Sequence, residues 1–179
     1  MERRILMRGV RPDQGCDGWI FMQKPHRLHD MNDAGRSNHE PRHPDLLRLL
    51  DYWRAKRGGR SFPRRADIDA VDLGFMLARI ALTEVHEDPR RYRLRVIGSW
   101  WTQLSGIELT GTWVDDWPLA SIRKLTIDTY EAVIAGRAPL CARRDAWMDE
   151  KKLSYEILLL PLSEDDARIS MILTGIGPS

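Results

Sequence analysis

A chain of 179 residues with 28 lysines and arginines against 26 aspartates and glutamates, for a formal net charge of +2, has the balance of an ordinary globular protein. Residues 1–42 hold 8 basic and 6 acidic residues, which leaves 20 of each for the remainder, so no whole-domain field draws it to nucleic acid. No apolar run reaches the roughly 18–20 residues that span a bilayer, the N-terminus lacks the apolar core of a secretory signal, and Cys16 and Cys141 show no metal or redox spacing; the expectation is a cytoplasmic protein with reduced thiols and no membrane contact.

Residues 1–42 carry only isolated apolar side chains such as Ile5, Leu6 and Trp19 among Gly, Pro, Asp, Asn, Arg and His. Such a segment buries too little surface to offset the entropy of ordering it, which predicts a flexible arm. His26, His29, His39 and His43 are interrupted by prolines and joined by no thiolate or carboxylate cluster, so no metal site is expected.

From His43 the pattern changes. Pro44 and Asp45 suit a first helical turn, Leu46, Leu47, Leu50 and Trp53 recur at helical spacing, and Gly58-Gly59 follows cationic residues that favour a helix C-terminus. Lys56, Arg57, Arg60, Arg64 and Arg65 then form a basic cluster that reads first as a solvated loop. Ile80 to Val85 reads as a strand, and Asp88-Pro89 as a turn into a second one, in which Tyr92, Leu94 and Val96 alternate with Arg91, Arg93 and Arg95. That alternation places three guanidinium groups on one face, paired with Asp145, Asp149 or Glu156, or else open to an acidic partner.

Gly98-Ser99 ends the strand, Trp100 to Leu104 fits one or two helical turns, and a helix from about Leu119 to Ala135 is expected to stop at Gly136. Residues 140–150 form a plausible strand with Cys141, Arg143, Asp145, Trp147 and Asp149 on one face. Leu153–Leu162 and Ala167–Ile176 pair as a hairpin around the polar turn Ser163 to Asp166. Both of these strands are apolar on both faces, so they belong at the centre of a sheet covered on each side, by the domain's own helices and by the helix around Leu46 to Trp53 or a second copy of the chain.

The order helix, strand, strand, short helices, long helix and three strands is that of a PAS domain, an α+β fold. The chain resembles the short single-domain PAS proteins common in alphaproteobacteria. The residues that carry this are Leu50-Asp51-Tyr52-Trp53, Arg57-Gly58-Gly59-Arg60, Pro63 to Asp69, Arg91-Tyr92-Arg93 through Gly98, Gly106 to Gly111 and Leu160-Pro161-Leu162-Ser163. The resemblance implies a five-stranded antiparallel sheet with helices on one face and an N-terminal flanking helix, in a single domain over residues 43–179 behind an arm of residues 1–42. It also implies a sensory or regulatory role. Haem is disfavoured because the long helix has no histidine, and covalent flavin because the Trp100 to Leu104 helix has no cysteine; the cofactor is otherwise left unknown.

Function then rests on binding rather than catalysis. No nucleophile elbow, phosphate loop or zinc cluster is present, His86 stands alone in the core region, and no catalytic residue is assigned. Trp100, Trp101, Trp113, Trp117, Tyr130 and Trp147 gather where PAS domains form a cavity; they either wall a pocket for a small apolar or aromatic ligand or fill the core themselves. The pocket candidates are Tyr92, Trp101, Thr126, Tyr130, Arg143, Arg144 and Trp147. Leu46, Leu47, Leu50 and Trp53 are the candidate surface for a homodimer or a signalling partner, since PAS domains commonly associate through a flanking helix. The expectation is a regulator with no output domain of its own, with a ligand-free adaptor as the alternative and an enzyme as a distant third.

Overall fold

In the computed structural model, which describes residues 28–33, 39–148 and 151–179, the most apolar stretches lie at the centre of one antiparallel sheet. The strands are β1 (Leu28–Asp33), β2 (Ile80–Glu87), β3 (Arg90–Ile97), β4 (Leu140–Met148), β5 (Lys151–Leu162) and β6 (Met171–Pro178), in the order β1-β4-β5-β6-β2-β3. Helices α1 (Pro44–Arg57), α2 (Ser99–Ser105) and α3 (Ala120–Gly136), with short 3-10 turns at Arg65–Asp67, Leu77–Arg79 and Val114–Asp116, complete the described elements. The five strands expected from the sequence are all present, and β5 and β6 hold the central places their two apolar faces require.

A sixth strand was not anticipated. Leu28–Asp33 pairs antiparallel with β4, opposite residues 144–148, inside the segment expected to be an arm. The rest of that segment up to residue 38, including Cys16 and His26, lies outside the described residues. The strand carries just two apolar residues in six, so the alternation signal that betrays a strand is missing from it.

Helix α1 covers the second face of the sheet. Pro44 opens it, the His43 ring accepts the Asp45 N–H at 3.2 Å, and Gly58, at φ 56°, closes it in a conformation that only glycine adopts freely. Leu46, Leu49, Leu50 and Trp53 are buried on Leu158, Leu160, Leu162 and Leu173, each contributing roughly 1.5–3 kcal/mol. Gly175 makes this approach possible, because a Cβ there would lie 2.5 Å from Leu49 Cδ2. The Trp53 indole N–H donates to the Pro161 carbonyl at 2.9 Å. Pro161 itself lies past Leu159, where pairing with β4 ends, so its missing N–H costs no bond on that side.

This packing corrects the expected dimer surface. Leu46, Leu50 and Trp53 are 0, 4 and 3 % exposed, and of the four candidates Leu47 alone, at 36 %, reaches solvent. The reason is stoichiometric: a sheet centre with two apolar faces takes up the helix's apolar stripe, which is then unavailable to a second chain. The basic cluster is exposed except for the half-buried Arg60, as a solvated loop would be. Its cations bind near neighbours: Arg60 donates to the Ser163 carbonyl at 3.0 Å, the Arg65 guanidinium to the Ile68 carbonyl at 2.8 Å, and Lys56 pairs with Asp72 at 3.1 Å.

Other local differences have plain causes. The β2–β3 register steps between Leu82 and Thr83, so Arg95 is bulged, Val96 turns out to 46 % exposure, and Leu94 and Ile97 both face inward. The three arginines bind near neighbours: Arg91 meets Asp115 at 2.8 Å, Arg93 the Gly111 carbonyl at 3.1 Å, and Arg95 Glu84 at 2.6 Å. Asp145 and Glu156 are out of reach because β3 is the far edge of the sheet. Helix α3 runs through Gly136 and is closed by Arg137 at φ 49°. Strand β6 begins four residues late, since Asp165 accepts the Ala167 and Arg168 N–H groups and holds them in the turn.

The two leucines at the start of α1 therefore separate covering the sheet from presenting a surface. Leu46→Ala is expected to cost about 2–5 kcal/mol in urea unfolding, and Leu47→Ala no more than about 0.5 kcal/mol.

Candidate functional site

The opposite face of the sheet supports a cavity of about 90 Å3. The alternation of the strands sets its floor: Ala81 from β2, Leu94 and Ile97 from β3, Arg144 from β4, Ile157 and Leu159 from β5 and Thr174 from β6. Trp101 and Ser105 of α2 form one wall, and Ile122, Leu125, Thr126, Thr129 and Tyr130 of α3 another. Ile107, Leu109 and Trp117, each only half-buried, complete the side between them.

Each helix is fixed by a local device. Gly98 brings β3 into α2 with its N–H on the Ile80 carbonyl at 2.7 Å, and it passes the Leu77–Arg79 turn so closely that a Cβ would lie 2.3 Å from the Ala78 carbonyl oxygen. Gly106, left-handed at φ 72°, ends α2, and the Ser105 hydroxyl donates to the Trp101 carbonyl at 2.9 Å. Arg123 donates to the Trp117 carbonyl at 2.5 Å, which ties the entry loop to the first turn of α3. Behind α2, Trp100, Trp101 and Tyr155 meet edge to face, with centroids 5.4 to 6.3 Å apart.

Polar groups in the cavity are few and specific. The Tyr130 hydroxyl and Thr83 Oγ1 are 2.9 Å apart in the buried floor, and desolvation pushes the phenol's pKa up, so it stays neutral. Arg144, 3 % exposed, donates from Nη2 to Thr129 Oγ1 at 2.9 Å, while Thr129 donates to the Leu125 carbonyl at 2.6 Å. The indole Nε1 of Trp101 is buried and has no hydrogen-bond partner among the described residues. No histidine or cysteine lines the cavity.

Of the seven pocket candidates, Trp101, Thr126, Tyr130 and Arg144 line this cavity; Tyr92, Arg143 and Trp147 do not. Tyr92 stands behind Tyr130, ring centroids 5.0 Å apart, and its hydroxyl donates to Glu131 at 2.5 Å; burial and that carboxylate hold its pKa well above the usual phenol range. Arg143 and Trp147 share a face of β4 with Cys141, as the alternation predicts, but it is the face away from the cavity, opposite Glu156 and Lys152 of β5. The strand's other residues, Ala142, Arg144 and Ala146, face α3. Small residues flanking an arginine were the available signal; an exposed tryptophan drew the reading to the wrong side. Leu125 and Thr129 were missed because facing on a helix is set by its docking angle, which periodicity alone leaves free, whereas Trp117, grouped with the cavity aromatics from the sequence, does line it.

A single antiparallel sheet with a helical layer enclosing a small apolar chamber is the architecture of a sensory type of domain. The chain belongs to the PAS domain family, whose model matches residues 41–176. Among solved structures it is similar to a fungal LOV domain photoreceptor, at 15 % identity and a TM-score of 0.41, over 75 % of this chain and 92 % of that one. No curated protein matches the chain. No helix of the described residues is long and apolar enough to cross a membrane.

The floor pair is open to a direct check. Tyr130→Phe leaves the Thr83 hydroxyl without its buried partner and is expected to cost about 1–3 kcal/mol in chemical denaturation; adding Thr83→Val recovers part of that loss.

Proposed function

We propose that this PAS domain is a sensory module that takes a small, mostly apolar molecule, or one end of a longer one, into the cavity beneath α2 and α3. It works by binding, and it passes the state of the cavity to a signalling partner. The observation that carries this reading is the unpartnered Nε1 of Trp101, a residue that lines a mostly apolar chamber. A buried donor without an acceptor costs about 1–3 kcal/mol, and a ligand carbonyl, ether or carboxylate oxygen opposite it would recover that cost.

Size supports a small occupant. A cavity of about 90 Å3 is smaller than the roughly 150 Å3 that accepts benzene in an engineered core. A ligand with a larger body would extend past the half-buried Ile107, Leu109 and Trp117. Helix α2 has only seven residues and supplies Trp101 to the cavity wall, so filling the space beside Trp101 acts first on α2 and the loop after it.

Native mass spectrometry of the freshly purified chain, with a denatured control, tests the proposal. The expected result is a stoichiometric added mass that disappears on denaturation, and its loss in Ala81→Leu, which fills the floor without touching the helices. A wild-type chain with no added mass, whose tryptophan fluorescence and unfolding temperature are unchanged by indole, phenol and benzoate, would leave the ligand-free adaptor as the working reading.

A further inference from the structure

On the face of the sheet opposite the cavity, three side chains distant in sequence converge. A ring nitrogen of His39, the Cys141 sulfur and a carboxylate oxygen of Glu156 all lie within 4.8 Å of one another. Cys141 is 2 % exposed and Glu156 8 %. A carboxylate, a thiol and an imidazole together are a donor set suited to a borderline-soft divalent ion.

The surrounding bonds orient each donor. His39 Nδ1 lies 2.9 Å from the Glu40 carbonyl. A carbonyl oxygen only accepts, so Nδ1 carries the proton and Nε2 is left with its lone pair. Glu156 Oε2 accepts the Arg42 and His43 N–H groups at 2.9 and 2.8 Å, which fixes the carboxylate and leaves Oε1 to coordinate. Outer hydrogen bonds of both kinds accompany metal ligands generally. His43, by contrast, is occupied: its Nδ1 accepts the Asp45 N–H at the start of α1.

We propose that His39, Cys141 and Glu156 bind one divalent ion of the zinc class, with water as the fourth ligand. Tetrahedral coordination needs donor separations of about 3.5 Å, so the three groups close by about 1 Å on binding. The ion displaces the thiol proton to solvent as the sulfur–metal bond forms, with no change of oxidation state. The site joins the segment before α1 to β4 and β5, and none of its three donors lines the cavity.

The test uses the full chain after chelator treatment, with ZnCl2 in calorimetry and CoCl2 as the spectroscopic probe. One ion per chain is expected, with a thiolate-to-cobalt charge-transfer band in the near ultraviolet and the intense visible bands of a four-coordinate ion. Cys141→Ser removes the charge-transfer band, and Cys16→Ser leaves it intact. His39→Ala and Glu156→Gln each weaken zinc by more than about 100-fold, beyond the loss expected for a merely supporting residue; the glutamine keeps a carbonyl oxygen for the two N–H groups. Circular dichroism checks that each variant is folded, and if Cys141→Ser is not, His39→Ala decides. A wild-type chain without the charge-transfer band, a band that persists in folded Cys141→Ser, or zinc affinity unchanged in His39→Ala would each overturn the proposal.

Discussion

The structure depends on burying both faces of β5 and β6. Leu158, Leu160, Leu162 and Leu173 point to one side and Tyr155, Ile157, Leu159, Ile172 and Ile176 to the other, and all but Ile157 are buried. Neither side of such a strand pair can be left to water, so the fold needs a cover on each. Helix α1 supplies one and the α2–α3 layer the other. The close approach of α1 at Gly175 and the looser seat of α3 are two answers to the same demand.

The looser seat is where the cavity arises. Beneath α3 the sheet presents Ala81 and Thr174, and a helix carrying Ile122, Leu125 and Tyr130 does not descend into all the space that these short side chains leave. On the α1 side leucine meets leucine and Gly175 admits the side chains of Leu46 and Leu49, and the layers close. Side-chain volume along single strands thus decides which face encloses a chamber and which becomes solid core.

Much of this fold was readable because it is written in local periods. The length of α1, its proline start and glycine stop, the doubly apolar hairpin and the turn at Ser163 to Asp166 all depend on neighbours a few residues apart, and these were found. What escaped depends on distant pairing. The bulge at Arg95 exists only relative to β2, β1 is a strand only because β4 offers it an edge, and the stripe Leu46, Leu50 and Trp53 looks the same whether it covers a sheet or a second chain. At the cavity, the alternation correctly grouped Arg143 with Trp147 and separated them from Arg144, but no local feature said which group faces inward. His39 and Glu156 are likewise 117 positions apart in sequence, and a histidine in a polar segment gives no sign of the strand it will meet.

Strand β5 has a further property. Tyr155 and Ile157 look toward the α2–α3 side, while Glu156, between them, looks the other way and holds the Arg42 and His43 N–H groups. Alternation makes one strand the partition between two compartments, so three consecutive residues belong to both. The domain's interior and its N-terminal approach thus share one strand, with the wall of the cavity on one side of it and the anchor of the entry to α1 on the other.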